Sequence, residues 1–377
     1  MTLPVTPPGA AATGVGSWPG TDEREAARTV VGELGELPHL VELPGRGIGA
    51  DMVGRTAALL VDLPVDRSVT GYRLADRPGS VLRTARAHLA RDLDAAEEAC
   101  ERAGVRGSGA PIKLQACGPV TAAVELELRT GRRVLTDRGA VRDLSASLAE
   151  GLREHVRTVR RRFGMEPVLQ LDEPRLPDAL AGAVPGPTRF DPVRILPEQE
   201  ASGLLDGVIG AADGAPVLVH CCAPGVPLRL LRGLPVAGVS VPMTDVGSAQ
   251  DSTGSNSTAP NSTGSNSTAQ DSAAANPSVP DPSVLDALGE WLDSGRTLAL
   301  GLVPARRPGG PPPDWHPLAV PAVRLVDMLG FARRILADQV LVTPECGLAG
   351  ADPDWARTAV SLAGRIAGEF VGDPDAL

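Results

Sequence analysis

The residues of this chain best suited to chemistry are its sulfurs and imidazoles, and two short stretches concentrate them. One is His220-Cys221-Cys222; the other is Cys346 within Pro344-Glu345-Cys346-Gly347-Leu348. Each follows an apolar run short enough to be a buried strand, Pro216 to Val219 and Gln339 to Val342. An imidazole with two thiolates is a donor set that suits Zn2+, and three protein ligands leave one position open for a substrate. Zinc held by His220, Cys222 and Cys346 would take up a thiol, lower its pKa and present it as a thiolate near neutral pH, so alkylation of sulfur is the chemistry to expect. A lone His-Cys-Cys at a strand end also reads as buried core; the second thiol, in an unusual turn at a distant strand end, is what favours the metal. Cys221 faces the other side of its strand, because successive side chains alternate, and is left out of the ligand set. Cys100, in the helical stretch AAEEACERAG, reads as buried, and Cys117 as a neighbour of the site without a direct role.

Such a cluster needs a scaffold that brings distant strand ends together. Short apolar runs recur at Ala12 to Gly16, His39 to Leu43, Pro111 to Ala116, Pro167 to Leu171, Pro216 to Val219, Val236 to Val241, Thr297 to Leu302 and Gln339 to Val342. Amphipathic helical patterns lie between them: Asp22 to Leu34, Val81 to Ala103, Ala140 to Phe163, Glu198 to Ala211, Leu285 to Leu292, Ala319 to Leu336 and Asp354 to Phe370. Strands alternating with helices imply a parallel sheet with crossovers, and eight of them imply an α/β fold of the (β/α)8, or TIM, barrel type. In that fold the βα loops converge at the C-terminal ends of the strands, where every suspicious motif here falls. Val15-Gly16-Ser17-Trp18-Pro19, Cys117-Gly118-Pro119-Val120-Thr121, Leu171-Asp172-Glu173-Pro174 and Pro242-Met243-Thr244-Asp245 join the two metal motifs. Asp172 could anchor the ammonium of an amino-acid substrate or a ring nitrogen of a methyl donor; its structural alternatives are a helix N-cap or a buried salt bridge. The functional reading is weaker for Glu173.

Composition sets the bounds. A chain of 377 residues, 42% hydrophobic, can bury one large core, so a single catalytic barrel over residues 1–377 is expected. A net charge of −10 offers no basic footprint for nucleic acid or for an anionic membrane surface. No signal-like pattern occupies Met1 to Thr13 and no run approaches the ~20 apolar residues of a membrane span, so a cytoplasmic, small-molecule role is expected. Five cysteines in such a chain argue for ligands or buried thiols rather than for a disulfide framework. Lys113 is the only lysine among 36 Lys and Arg residues, a bias that looks like codon usage in a GC-rich genome.

One segment breaks the pattern. From Gly247 to Pro282 the chain turns Ser/Thr/Asn/Ala-rich, with a near-repeat in STGSNSTAP and STGSNSTAQ, and it holds all four asparagines, Asn256, Asn261, Asn266 and Asn276. Such a stretch cannot bury enough apolar surface to offset its ordering entropy, so residues 247–282 are expected to be a disordered insertion in one βα loop. Its Asn-Ser-Thr triplets match the glycosylation sequon but are idle in a cytoplasmic protein.

At these motifs the sequence resembles cobalamin-independent methionine synthase, in its C-terminal catalytic barrel and in the short single-barrel relatives of that enzyme. The resemblance covers nearly the whole chain outside the insertion. Val15-Gly16-Ser17-Trp18-Pro19 is similar to the family's Ile-Gly-Ser-Phe-Pro, which implies that Gly16 and Ser17 contact an amino-acid substrate. Asp51-Met52-Val53 resembles a helix start of the family, and Gly118-Pro119-Val120-Thr121 matches its Gly-Pro-Val-Thr. Leu171-Asp172-Glu173-Pro174 is similar to its Ile-Asp-Glu-Pro, which places Asp172 and Glu173 among the groups handling substrate and folate. His220-x-Cys222 and Cys346-Gly347-Leu348 match its zinc motifs. The resemblance implies a zinc-dependent methyltransferase of methionine biosynthesis, acting on homocysteine or a similar thiol with methylfolate or a methylcorrinoid as donor.

The departures are specific. Pro242 stands where the family has a zinc-ligating Glu, with Asp245 near enough to substitute. Arg46 replaces a Glu that binds the substrate amino group, which suggests another pose or an acidic substrate, with Glu42 as a conjectural stand-in. Glu125 replaces a Trp that stacks on folate, and the second barrel of the full-length enzyme is absent. Two other readings stay open: a zinc-free enzyme resembling uroporphyrinogen decarboxylase, using Arg46 and Arg55 for an acidic tetrapyrrole, and a non-catalytic metal-binding or corrinoid-interacting barrel.

Overall fold

The computed structural model describes residues 9–186, 193–243 and 282–377. Six strands form one parallel sheet in chain order: β1 (Pro111–Cys117), β2 (Glu166–Asp172), β3 (Val217–His220), β4 (Gly238–Pro242), β5 (Thr297–Val303) and β6 (Val340–Pro344). Their near-continuous apolar sequences follow from burial on both faces, the barrel interior on one side and the helices on the other. Two N-terminal segments, residues 11–18 and 39–42, close the sheet on itself. Val342 N–H donates to Ala11 O and Thr13 N–H to Val342 O (both 3.0 Å); Trp18 N–H donates to Glu42 O (2.8 Å); Leu40 N–H donates to Lys113 O (2.8 Å). These bonds complete an eight-staved α/β barrel, with the first two staves held by single bridges rather than by full ladders.

The outer layer is helical: α1 (Glu23–Glu33), α2 (Met52–Leu59), α3 (Ser80–Arg102), α4 (Pro119–Glu125), α5 (Arg138–Phe163), α6 (Glu198–Ile209), α7 (Pro282–Asp293), α8 (Trp315–Met328) and α9 (Pro353–Gly372). Side-chain caps start several of them: Asp22, Asp51, Asp137 and Asp352 each accept backbone N–H bonds. The helical pattern over Ala319 to Leu336 predicts one helix, but α8 stops at Met328. Gly330 sits at φ +76°, the left-handed conformation that ends helices, and a separate short helix follows. A small sheet of Val65–Arg67, Tyr72–Leu74 and Leu126–Glu127 has no counterpart in the sequence reading, because strands of two or three residues carry too little alternation to register.

Two apolar cores result. A large one lies between sheet and helices, while Ala11, Leu37, Val168, Leu218, Ala299 and Leu341 form a distinct cluster that fills the barrel interior. Two residues further along β2 the inward position becomes polar at Gln170, and two further again it is Asp172, so the interior changes from hydrocarbon to hydrogen-bonding groups toward the strands' C-terminal ends. Among the described residues no helix is long and apolar enough to cross a membrane. The expected disorder of residues 247–282 concerns a stretch that, apart from Pro282 at the start of α7, lies outside the described residues.

Candidate functional site

His220 ends β3, Cys222 follows two residues on, and Cys346 follows β6 through an irregularity in its pairing with β5 between Gly301 and Val303. A Cβ on Gly301 would lie 2.6 Å from Cα of Glu345, so glycine there permits the close approach that turns the Glu345-Cys346 segment inward. The structure brings the three donors together: their ligand atoms all lie within 4.8 Å of one another. Tetrahedral zinc with bonds of about 2.0–2.3 Å spaces its ligands roughly 3–4 Å apart, so small side-chain adjustments would complete the grip.

The His220 ring supplies the sharpest test of fit. Its Nδ1 meets Ser240 Oγ at 3.0 Å, while the buried Nε2 has no hydrogen-bonding partner. An orphaned ring nitrogen beside two sulfurs, with the opposite nitrogen fixed by a hydroxyl, is the arrangement a metal-ligating histidine requires. The adjacent Cys222 thiol and the nearby His220 ring hold the Cys346 sulfur well below the usual thiol range, and the contact with Cys346 pushes the Cys222 thiol up. Cys221 is buried, with its sulfur 3.8 Å from Ala223 O, and lies outside the donor group, as does Cys117, whose thiol burial pushes far up.

Asp172 closes β2 directly beside His220 in register. Its Oδ1 accepts from Gln170 Nε2 at 2.7 Å; burial raises its pKa, opposed by the nearby His220 and Lys113. Glu173 is placed differently. Its carboxylate accepts from Val120 N–H (2.9 Å), Thr121 N–H (2.7 Å) and Thr121 Oγ (2.7 Å), which makes it the acceptor for the first turn of α4. A Cβ on Gly118 would overlap that carboxylate, which gives the Gly-Pro-Val-Thr motif a physical reason for its glycine. Gly16 has φ +151°, and a Cβ there would press on the Gln115 side chain at 2.8 Å. Ser17 lies against the sulfur-bearing turn, its carbonyl accepting from Leu348 N–H at 2.9 Å.

Four polar residues at this site carried no assigned role in the sequence reading or only a conjectural one. Ser240 orients His220. Lys113 and Gln170 form a buried network under Asp172. Glu42, the conjectural stand-in, is buried on the second barrel segment, 3.4 Å from Arg55 Nε, and burial lifts its carboxyl to about 7. The available signal was polar side chains inside otherwise apolar strand runs, at Lys113, Gln115 and Gln170. Arg46 is not a free cation for an acidic substrate: its side chain is 6% exposed and holds Asp92 at 2.8 Å, an aspartate it shares with Arg55. The tetrapyrrole reading loses the two arginines it leaned on. Glu125 pairs with Arg175 at 3.0 Å, and Pro242, paired with Gly301, offers no donor atom. Asp245 lies outside the described residues.

Comparison with known proteins agrees with this fold. The family model described as the catalytic domain of cobalamin-independent synthase matches residues 10–252. Among solved structures, a B12-independent methionine synthase from Shewanella sp. W3-18-1, in complex with selenomethionine, superposes with a TM-score of 0.59 at 13% identity, covering 98% of this chain and 100% of that one. Xylanase B from Clostridium stercorarium F9 matches at a TM-score of only 0.31 and 11% identity, covering 69% of this chain and 72% of the xylanase. No curated protein sequence matches the chain.

Proposed function

The chain belongs to the family of cobalamin-independent synthase catalytic domains, and from that premise we propose that it is a zinc-dependent S-methyltransferase of methionine biosynthesis, passing a methyl group to homocysteine or a similar thiol. The observation that carries the reading is the convergence of His220, Cys222 and Cys346 around an unpartnered His220 Nε2. Those three side chains would hold the ion. When bound, zinc would supply a lowered thiol pKa and so a sulfur nucleophile near neutral pH.

The other roles belong to the chain's own residues. Asp172, buried beside His220, is assigned the ammonium of the amino-acid thiol, and Gly16 with Ser17 the rest of its backbone-like end. Ser240 fixes the His220 ring. Glu173, first read as substrate-binding, acts on this view by fixing α4 and the loop before it. Among the described residues, the apolar cluster inside the barrel closes the site from below. The donor is methylfolate or a methylcorrinoid. We assign one catalytic barrel to residues 1–377, interrupted by the 247–282 insertion, and a cytoplasmic location.

The test is metal content combined with a thiol-methylation assay, using methylfolate and methylcobalamin side by side on homocysteine. Zinc together with methionine formed from either donor supports the reading; a metal-free protein that methylates no thiol overturns it.

A further inference from the structure

Of the 36 Lys and Arg residues in this chain only Lys113 is lysine, and it is fully buried in the barrel wall, at 0% exposure. Arginine fills other enclosed positions, Arg46 and Arg55 among them, where it pairs with a carboxylate; Lys113 instead faces a carbonyl and an amide oxygen. The geometry gives a reason. Lys113 Nζ donates to Val15 O at 2.9 Å and to Gln170 Oε1 at 2.8 Å. Gln170 in turn donates through Nε2 to Val15 O at 2.8 Å and to Asp172 Oδ1 at 2.7 Å. A compact ammonium fits between two acceptors, whereas a planar guanidinium would bring five donors into the same enclosed space and leave several without partners.

The direction of these bonds matters more than their number. An amide can face either way, and the two orientations are nearly isosteric. Lys113 has donors only, so it forces Gln170 to turn its oxygen toward Nζ and its NH2 toward Asp172. With the amide reversed, Gln170 would present its oxygen to the Asp172 carboxylate. The Val15 carbonyl receives donors from both residues, and it directly precedes Gly16 and Ser17.

We propose that Lys113 is a positioning residue for the substrate subsite, fixing through Gln170 both the Asp172 carboxylate and the Val15–Ser17 loop that flanks it. The proposal rests on the reading above in which Asp172 takes the ammonium of the amino-acid thiol. Lys113 also supplies the positive charge that faces the buried carboxylates of Asp172 and Glu42 from below.

The experiment measures binding of two thiols to the zinc-loaded protein by calorimetry: homocysteine, and 4-mercaptobutanoate, which lacks only the amino group. Wild type should prefer homocysteine. Lys113→Met should weaken homocysteine by roughly tenfold, the scale of one lost buried polar interaction, while 4-mercaptobutanoate affinity and zinc content stay at the wild-type level. Gln170→Glu, which keeps a partner for Lys113 but removes the donor to Asp172, should show the same selective loss and stands in if Lys113→Met does not fold. Lys113→Arg should not restore the preference. A variant that keeps the wild-type preference, or loses affinity for both thiols equally, overturns the proposal. A wild type that binds the two thiols alike overturns the Asp172 assignment, and the proposal with it.

Discussion

Ser17 and Gly347 touch so closely that a Cβ on Gly347 would overlap the Ser17 hydroxyl. The loop after the first barrel segment and the turn that carries Cys346 are thereby one packed unit, stitched again by Leu348 N–H to Ser17 O at 2.9 Å. Gly347→Ala drives the Ser17 hydroxyl out of its place and presses on its Cβ. Overpacking of this kind costs about 1–3 kcal/mol, and a displacement near 1 Å at a reacting group can cost roughly 10²-fold in rate. The expected outcome is a modest fall in melting temperature with a far larger fall in kcat/KM for thiol methylation; wild-type turnover in the variant would contradict it.

Ser240 holds the one His220 nitrogen that faces away from the sulfurs. Without the hydroxyl the ring can rotate, and loss of such an orienting partner typically weakens metal affinity by about 10–100-fold. Competition of Ser240→Ala with a chromophoric chelator should show a drop of that order, with the melting curve of the metal-free protein little changed.

Glu173 separates two roles that the sequence left joined. Its carboxylate satisfies two buried N–H groups at the start of α4. Glu173→Ala leaves them without an acceptor, at a cost of about 1–3 kcal/mol for each buried unsatisfied group. Denaturant unfolding should show that loss while zinc content remains at the wild-type level; unchanged stability with lost thiol binding would instead return Glu173 to the substrate.

Two buried histidines contribute to the loss of stability in acid. Burial, aided by the Lys113 charge, holds His39 down to about 3, and burial, aided by Arg55, holds His155 down to about 4. Both start from an ordinary value of 6.5, so in acid the unfolded chain takes up protons that the folded one refuses. Their contribution is fully present above 6.5 and is lost as pH falls from there toward 4 and 3. Melting temperature measured between neutral and mildly acid pH should fall less steeply in His155→Leu than in wild type, and an identical slope would remove His155 from the account.

Much of this fold could be read before any coordinates. Each of the eight apolar runs became a stave, because strands buried on both faces need near-continuous hydrocarbon, and that pattern survives without help from neighbours. His220, Cys222 and Cys346 were legible because sulfur and imidazole at strand ends have few structural uses. What stayed hidden depends on contacts between distant residues. Nothing local says that Lys113 fixes the orientation of Gln170, that Arg46 is claimed by Asp92, or that Glu173 faces α4 while Asp172 faces His220. The break after Met328 was legible in principle from Gly330, but the apolar periodicity continues past it and masks the stop.

Zinc content is the most direct measure of the central claim, taken by atomic spectroscopy on wild type, His220→Ala, Cys222→Ser and Cys346→Ser, all purified without chelator. The account predicts about one zinc per wild-type chain, as an open three-ligand site would hold, and little or none in each variant, with thiol methylation lost in parallel. Wild type free of metal, or variants that keep wild-type zinc, would contradict it.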